Sequence, residues 1–240
     1  MNPRNTRRSA GAGASVAVLC AMAAVAAMAG DIASRAMPYE HMAPLEQYLM
    51  DPAAEIALAR TAAPAAISAE ATVLVLKPHG YQSAVKGTNG FTCIVERSWM
   101  SPFDNAEFWN PKMRAPICYN PAASNSILSY TLQRTKLALA GHSRDEMLAE
   151  VRGALERNEL TPPEPGAMSF MMSKDGYLGD GQGHWHSHLM FHVPKAGAAS
   201  WGANLPGSPV VLDLRPTPEP QTIFLVPVSH WSDGTEAPGL

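Results

Sequence analysis

The chain has 240 residues, 46% of them hydrophobic and 16% charged, with 18 Lys and Arg against 21 Asp and Glu and a formal net charge of −3. That length is enough for one substantial core. The mild acidity argues against nucleic acid as a partner.

The first thirty residues read as an export signal. Arg4, Arg7 and Arg8 precede the apolar run Ser15–Ala27, and Ala27-Met28-Ala29 places small residues at the two positions a signal peptidase reads, so cleavage is expected before Gly30. The run falls short of the ~20 residues that span a bilayer. No second long apolar run follows, so no stable membrane span is expected after cleavage. Removing residues 1–29 takes away three arginines and no acid, which moves the formal charge from −3 to −6. Residues 30–240 are expected to form a single α+β domain in the periplasm or outside the cell, with 30–50 as a flexible lead-in.

After cleavage two cysteines remain, Cys93 and Cys118. An even pair in an oxidising compartment favours a disulfide. The loop it closes, about 25 residues, is worth roughly 3 to 4 kcal/mol on the chain-entropy account. An oxidised pair cannot hold a metal, which leaves that chemistry to histidine and carboxylate.

In chain order, Asp51 and Pro52 open a helix that ends before Pro64, with Glu55 near its positive end. ATVLVL at 71–76 and FTCIVERSW at 91–99 have strand composition. Gly87-Thr88-Asn89-Gly90 between them is turn chemistry, so an antiparallel pair is expected. Residues 100–120 contain three prolines and no sustained period, which reads as loop. Asn120-Pro121 opens a second helix, with Leu128 and Leu132 on one face and Gly141 as its stop. Ser143 and Glu146 form a capping box for a third, whose core stripe reads as Leu148, Val151 and Leu155. Strands follow at 167–173, 187–193, 210–214 and 222–231, separated by Gly- and Pro-rich loops. Helices segregated from strands point to an α+β fold, a mainly antiparallel sheet with a helical hairpin packed on it.

The chemistry concentrates in GHWHSHLMFH, residues 183–192, which holds four of the eight histidines. In an extended chain His184, His186, His188, Met190 and His192 face one way, toward a pocket or solvent. Trp185, Ser187, Leu189, Phe191 and Val193 face the other, a core side. A rise of ~3.3 Å per residue puts His184 and His192 ~26 Å apart, so only neighbours two positions apart can share an ion. His186 with His184 or with His188 is therefore the candidate metal pair, and His192 stands apart. Zinc and copper accept imidazole nitrogen but need three or four ligands. His230, Asp180, Asp175 and Glu164 have suitable chemistry to complete the set, with His79 as a further candidate. An open coordination position would make the protein a metal-dependent hydrolase; a closed one would make the metal structural. The sequence lacks G-x-S-x-G, H-E-x-x-H and a reactive cysteine context.

HWHSH resembles the His-x-His core of JAMM-type metalloproteases, and the match covers His186 and His188. Ala196 and Ala199 stand where that family carries its serine and aspartate, so its full zinc geometry is not implied. Over most of its length, through FTCIVERSWMSPFDNAEFWNPK, GHWHSHLMF, SWGANLPGSP and TIFLVPVSHWSDGT, the chain resembles a family of exported bacterial proteins. That resemblance implies export and no particular activity.

Two functions compete at this point. One is an exported metal-binding protein centred on His186. The other is a non-catalytic module that binds a small ligand through tryptophans in its Pro- and Gly-rich loops, Trp99, Trp109, Trp201 and Trp231.

Overall fold

The computed structural model describes residues 39–180, 186–194, 198–213 and 217–238. The chain divides into two units, Met1–Met37 and Pro38–Leu240, and every described residue belongs to the second. The expected signal segment, His184 and Trp185 lie outside the described residues. Among those described, no helix is long and apolar enough to cross a membrane.

The described residues form an α+β structure with an eight-stranded, mostly antiparallel sheet and five α-helices. The strands are β1 Thr72–Lys77, β2 Gly80–Val85, β3 Thr92–Glu96, β4 Ala115–Tyr119, β5 Met168–Met171, β6 His188–Pro194, β7 Val211–Leu212 and β8 Gln221–Pro227. Their spatial order is β2-β1-β3-β4-β5-β6-β8-β7. The helices are α1 Pro52–Arg60, α2 Ala65–Ser68, α3 Pro121–Asn125, α4 Leu128–Leu139 and α5 Arg144–Glu156.

The first half of the sheet departs from the sequence expectation in two places. β1 pairs with β3 in parallel, at Thr72↔Thr92 and Val73↔Cys93, rather than antiparallel. The strand between them in sequence, β2, returns antiparallel along β1 through a tight turn in which Lys77 faces Gly80. Gly80 takes φ +120°, which side-chain-bearing residues avoid. β2 was invisible as a strand because it lies at the edge and is largely exposed, so it needs no apolar face. Gly87-Thr88-Asn89-Gly90 is then a crossing back to β3, not a hairpin. It passes so close to the start of β1 that a Cβ at Gly87 would sit 2.2 Å from the Thr72 backbone nitrogen.

The second departure is β4, which forms inside the stretch expected to be loop. Its APICY core is completely buried and pairs antiparallel with β3 along five positions. Cys93 faces Cys118 with Cα atoms 4.0 Å apart, the close spacing of a pair that exchanges no backbone hydrogen bonds. Pro116, two residues away opposite Val95, therefore shares that pairing phase and needs no N–H toward β3. On its other side β5 pairs only with Cys118 and Tyr119. The two cysteines stand at disulfide-bonding distance, as the even count suggested.

The helices start as their caps dictate. The Asp51 side chain accepts from the Ala53 and Ala54 amides at 3.0 Å, Asn120 caps α3, and Ser143 and Glu146 close the capping box on α5. The core stripe of α5 is Met147, Val151 and Ala154, one residue round from the expected Leu148 and Leu155, which are half-buried. The second expected helix is divided at Ser126 into α3 and α4. Leu128 of α4 is buried, but Leu132 is exposed. The buried side of α4 instead carries Tyr130, Thr131, Arg134 and Thr135 beside Leu137 and Ala138.

Two hydrophobic clusters follow from this layout. A small one joins Ala59 and Ala63 to Val73, Cys93, Val95 and Cys118. The larger one joins Ile94, Ile117 and Tyr119 of the sheet to Ala138, Met147, Val151 and Ala154 of α4 and α5. Glu55, in the first turn of α1 near its positive end, is fully buried against Arg97 at 2.8 Å and accepts the Leu76 amide.

Candidate functional site

One face of the sheet does not close against the helices along its whole length. Between them lies a cavity of about 990 Å³. Its floor comes from alternate residues of neighbouring strands: Glu96 of β3, Ile117 and Tyr119 of β4, Met171 of β5, Met190 of β6 and Ile223 of β8. Its roof is Tyr130, Thr131 and Arg134 of α4, with the segment from Met100 to Pro102. The polar stripe of α4, unusual for a buried helix face, is thus turned to the cavity.

Arg134 holds this roof in place. Its guanidinium meets Glu219, just before β8, through two bonds of 2.7 and 2.9 Å, and both side chains are buried. A third nitrogen donates to the carbonyls of Trp99, Met100 and Ser101, and the guanidinium carbon lies 4.2 Å from the Phe103 ring centre. Burial alone would raise the Glu219 carboxyl, but the charge and hydrogen bonds of Arg134 bring it below the usual carboxylate range.

Glu96 presents the opposite electrostatic case. Tyr119 donates to its Oε1 at 2.5 Å and Thr131 donates to the same oxygen at 2.8 Å. Burial pushes this carboxyl up, against the pull of those two hydrogen bonds and of Arg134. Tyr119, buried beside it, is held well above its ordinary value, chiefly by burial. A carboxyl raised in an apolar wall can serve as an acid or as a hydrogen-bond donor.

The even-numbered residues meet the expectation from parity: His186, just before β6, and His188, Met190 and His192 of β6 all line the cavity. The odd face is less of a core than expected. Leu189, Phe191 and Val193 are only half-buried, because that side is covered by the 198–213 segment, where Trp201 packs on Phe191 at 6.0 Å and stacks on Phe224 at 4.5 Å. His188 Nδ1 donates to the His186 carbonyl at 2.6 Å, since that oxygen can only accept. The lone pair of the neutral ring is then on Nε2.

His192, expected to stand apart, opens on the same cavity and is 3% exposed. Its Nδ1 donates to Gln221 Oε1 at 3.0 Å, and Ser169 Oγ donates to its Nε2 at 3.0 Å. The order hydroxyl, imidazole, orienting group is that of an activated nucleophile. Ser169, however, has no exposed surface and does not line the cavity, so the trio fixes the imidazole in place. Burial lowers this imidazole to about 4.

The remaining candidates do not converge. His230 is exposed in a bridge with Glu236 and does not line the cavity. His79, Glu164, Asp175 and Asp180 are exposed as well, and Asp180 is engaged by Tyr39 and Tyr177. Among the described residues no group of three or more His, Cys, Asp or Glu is placed to hold a metal ion. Three of the four candidate ligand-binding tryptophans are core anchors instead. Trp99, Trp109 and Trp231 are buried in the larger cluster, with Trp99 Nε1 donating to Thr135, and Trp201 alone is exposed. Sequence reasoning passed over Glu96, Tyr119, Thr131, Arg134, Glu219 and Gln221. The available signal was the polar stripe on α4, which the leucine pattern concealed.

Compared with protein-family models, curated proteins and solved structures, the chain matches none.

The state of His192 fixes a pH dependence. Its imidazole titrates at 6.5 when unperturbed and at about 4 when folded, so the unfolded chain binds the extra proton first. Its contribution, on the order of 3 kcal/mol, is present above the unfolded value and is lost as pH falls through the folded one. Chemical denaturation across that window should show stability falling with acidification in the wild type and a flatter profile in His192→Gln. Parallel profiles would contradict the assignment.

Proposed function

We propose that the protein is an exported binding protein for a small, mainly apolar organic molecule, which it holds between the sheet and a cover formed by α4 and the segment from Met100 to Pro102. The single observation that carries this reading is the cavity. Its volume, about 990 Å³, is at the upper end of what small-molecule sites occupy, about 300–1,000 Å³. Its lining joins Met, Ile, Leu, Pro and Tyr side chains to a comparable number of polar ones, among them Glu96, Arg134, Glu219 and the histidines. A space of that kind between well-packed elements lacks the dispersion contacts an apolar ligand would restore. The ligand-binding alternative read from the sequence is thus retained, with the cavity in place of the loop tryptophans.

A second reading concerns His186 and His188. Both line the cavity, and the His188 tautomer set by the His186 carbonyl is the one that histidine metal ligands commonly adopt. Zinc or copper at this pair would need ligands from beyond the two rings. Metal analysis after reconstitution decides it: about one equivalent, lost in His186→Ala, supports the site, and no bound metal removes it.

The neutral fluorophore N-phenyl-1-naphthylamine tests the main reading. It should bind saturably at one site per chain, and Met190→Trp, which fills the cavity, should abolish binding while near-ultraviolet circular dichroism shows an intact fold. No saturable binding to the wild type, or undiminished binding to a folded Met190→Trp variant, would contradict the proposal.

A further inference from the structure

We infer that Glu96 selects the ligand of this cavity, donating a carboxylic O–H to an uncharged oxygen acceptor, a ketone, ester or amide carbonyl, on an otherwise apolar molecule. The inference rests on the ligand-binding reading above and names the chemistry of that ligand.

The geometry begins with how the neighbouring hydroxyls are spent. Tyr119 and Thr131 each have one proton, and each hydroxyl is placed to give it to Oε1 of Glu96, the two standing 3.0 Å from one another. An oxygen accepting two hydrogen bonds is the carbonyl oxygen of a carboxylic acid, so the acid proton belongs on Oε2. Oε2 makes no hydrogen bond among the described residues and is not sealed in the protein; the residue opens on the cavity. The two hydroxyls, themselves buried, thereby aim the remaining oxygen at whatever occupies that space.

Burial favours the neutral acid, against the pull of Arg134 and of the two hydroxyl donors toward the carboxylate. Tyr81 approaches from β2, Arg97 follows Glu96 on its own segment, Tyr119 comes from β4, and Thr131 and Arg134 come from α4. Arg97 is already bonded to Glu55 and to the carbonyls of Tyr48 and Val95. Arg134 is already bonded to Glu219 and to three carbonyls. Among the described ion pairs none includes Glu96. An ionised Glu96 would therefore be buried without an ion-pair partner among the described residues, whereas the neutral acid lacks only an acceptor, which a ligand carbonyl supplies. A ligand carboxylate would bring a second negative charge to the same wall. A ligand ammonium is the real competitor, because it would strip the proton and pair with the carboxylate.

Matched naphthalenes separate these cases by displacement of N-phenyl-1-naphthylamine from the purified protein. At about pH 5, 2-acetylnaphthalene should bind roughly fivefold to tenfold more tightly than 2-ethylnaphthalene, which has the same bulk and no acceptor. The advantage should shrink as pH rises and Glu96 ionises. Glu96→Gln, whose amide N–H replaces the acid proton, should keep the preference at every pH, and Glu96→Ala should lose it. Equal binding of the two naphthalenes, an unchanged preference in Glu96→Ala, or tighter binding of 2-naphthylmethylammonium would overturn the inference while leaving the cavity reading intact. Failure of the fluorophore itself to bind would overturn both.

Discussion

The buried ion pair between Arg134 and Glu219 fixes α4 over the sheet, and the cavity depends on it. Both side chains lose their water, so the pair in itself adds little to stability, but removing one partner would strand the other charge at a cost of about 3–5 kcal/mol. Its value is geometric. A bidentate pair has one good arrangement, and the same guanidinium also ties down the carbonyls of Trp99, Met100 and Ser101. Helix, β8 approach and roof segment are thereby locked together at a single point. The sheet face below can stay partly uncovered without the helix settling into it.

Within that frame the polar groups of the cavity fall into two kinds. Arg134, Glu219 and His192 are satisfied by the protein itself, and their chemistry is consumed in holding the walls. Glu96 is different, because its two donors engage one oxygen and leave the other toward the empty space. A buried group half satisfied by the fold carries a free-energy cost that a complementary ligand can relieve. This asymmetry separates a recognition element from a structural one.

Much of the fold was legible where local chemistry decides it. Asp51, Asn120 and Ser143 announced their helices, the alternation of 184–192 placed His186, His188 and His192 on one face, and the even cysteine count foretold the pairing of Cys93 with Cys118. What failed was non-local. The parallel pairing of β1 with β3 depends on Gly87 slipping past the Thr72 backbone, which no local pattern records. β4 was concealed by Pro116, tolerated because of the pairing phase set by its neighbours. The site was least legible of all: Glu96, Tyr119 and Thr131 come together from two strands and a helix. The tryptophans misled for a related reason, since a ring in a proline-rich loop looks available until the core it fills is known.

The most direct test of the account is a crystal structure of the protein with a brominated naphthyl ketone, located by the anomalous signal of its bromine. The account places the bromine in the cavity between β6 and α4, with the ketone oxygen about 2.7 Å from Oε2 of Glu96. A ligand bound elsewhere on the surface, or a cavity closed by α4 settling onto Met171 and Met190, would contradict it.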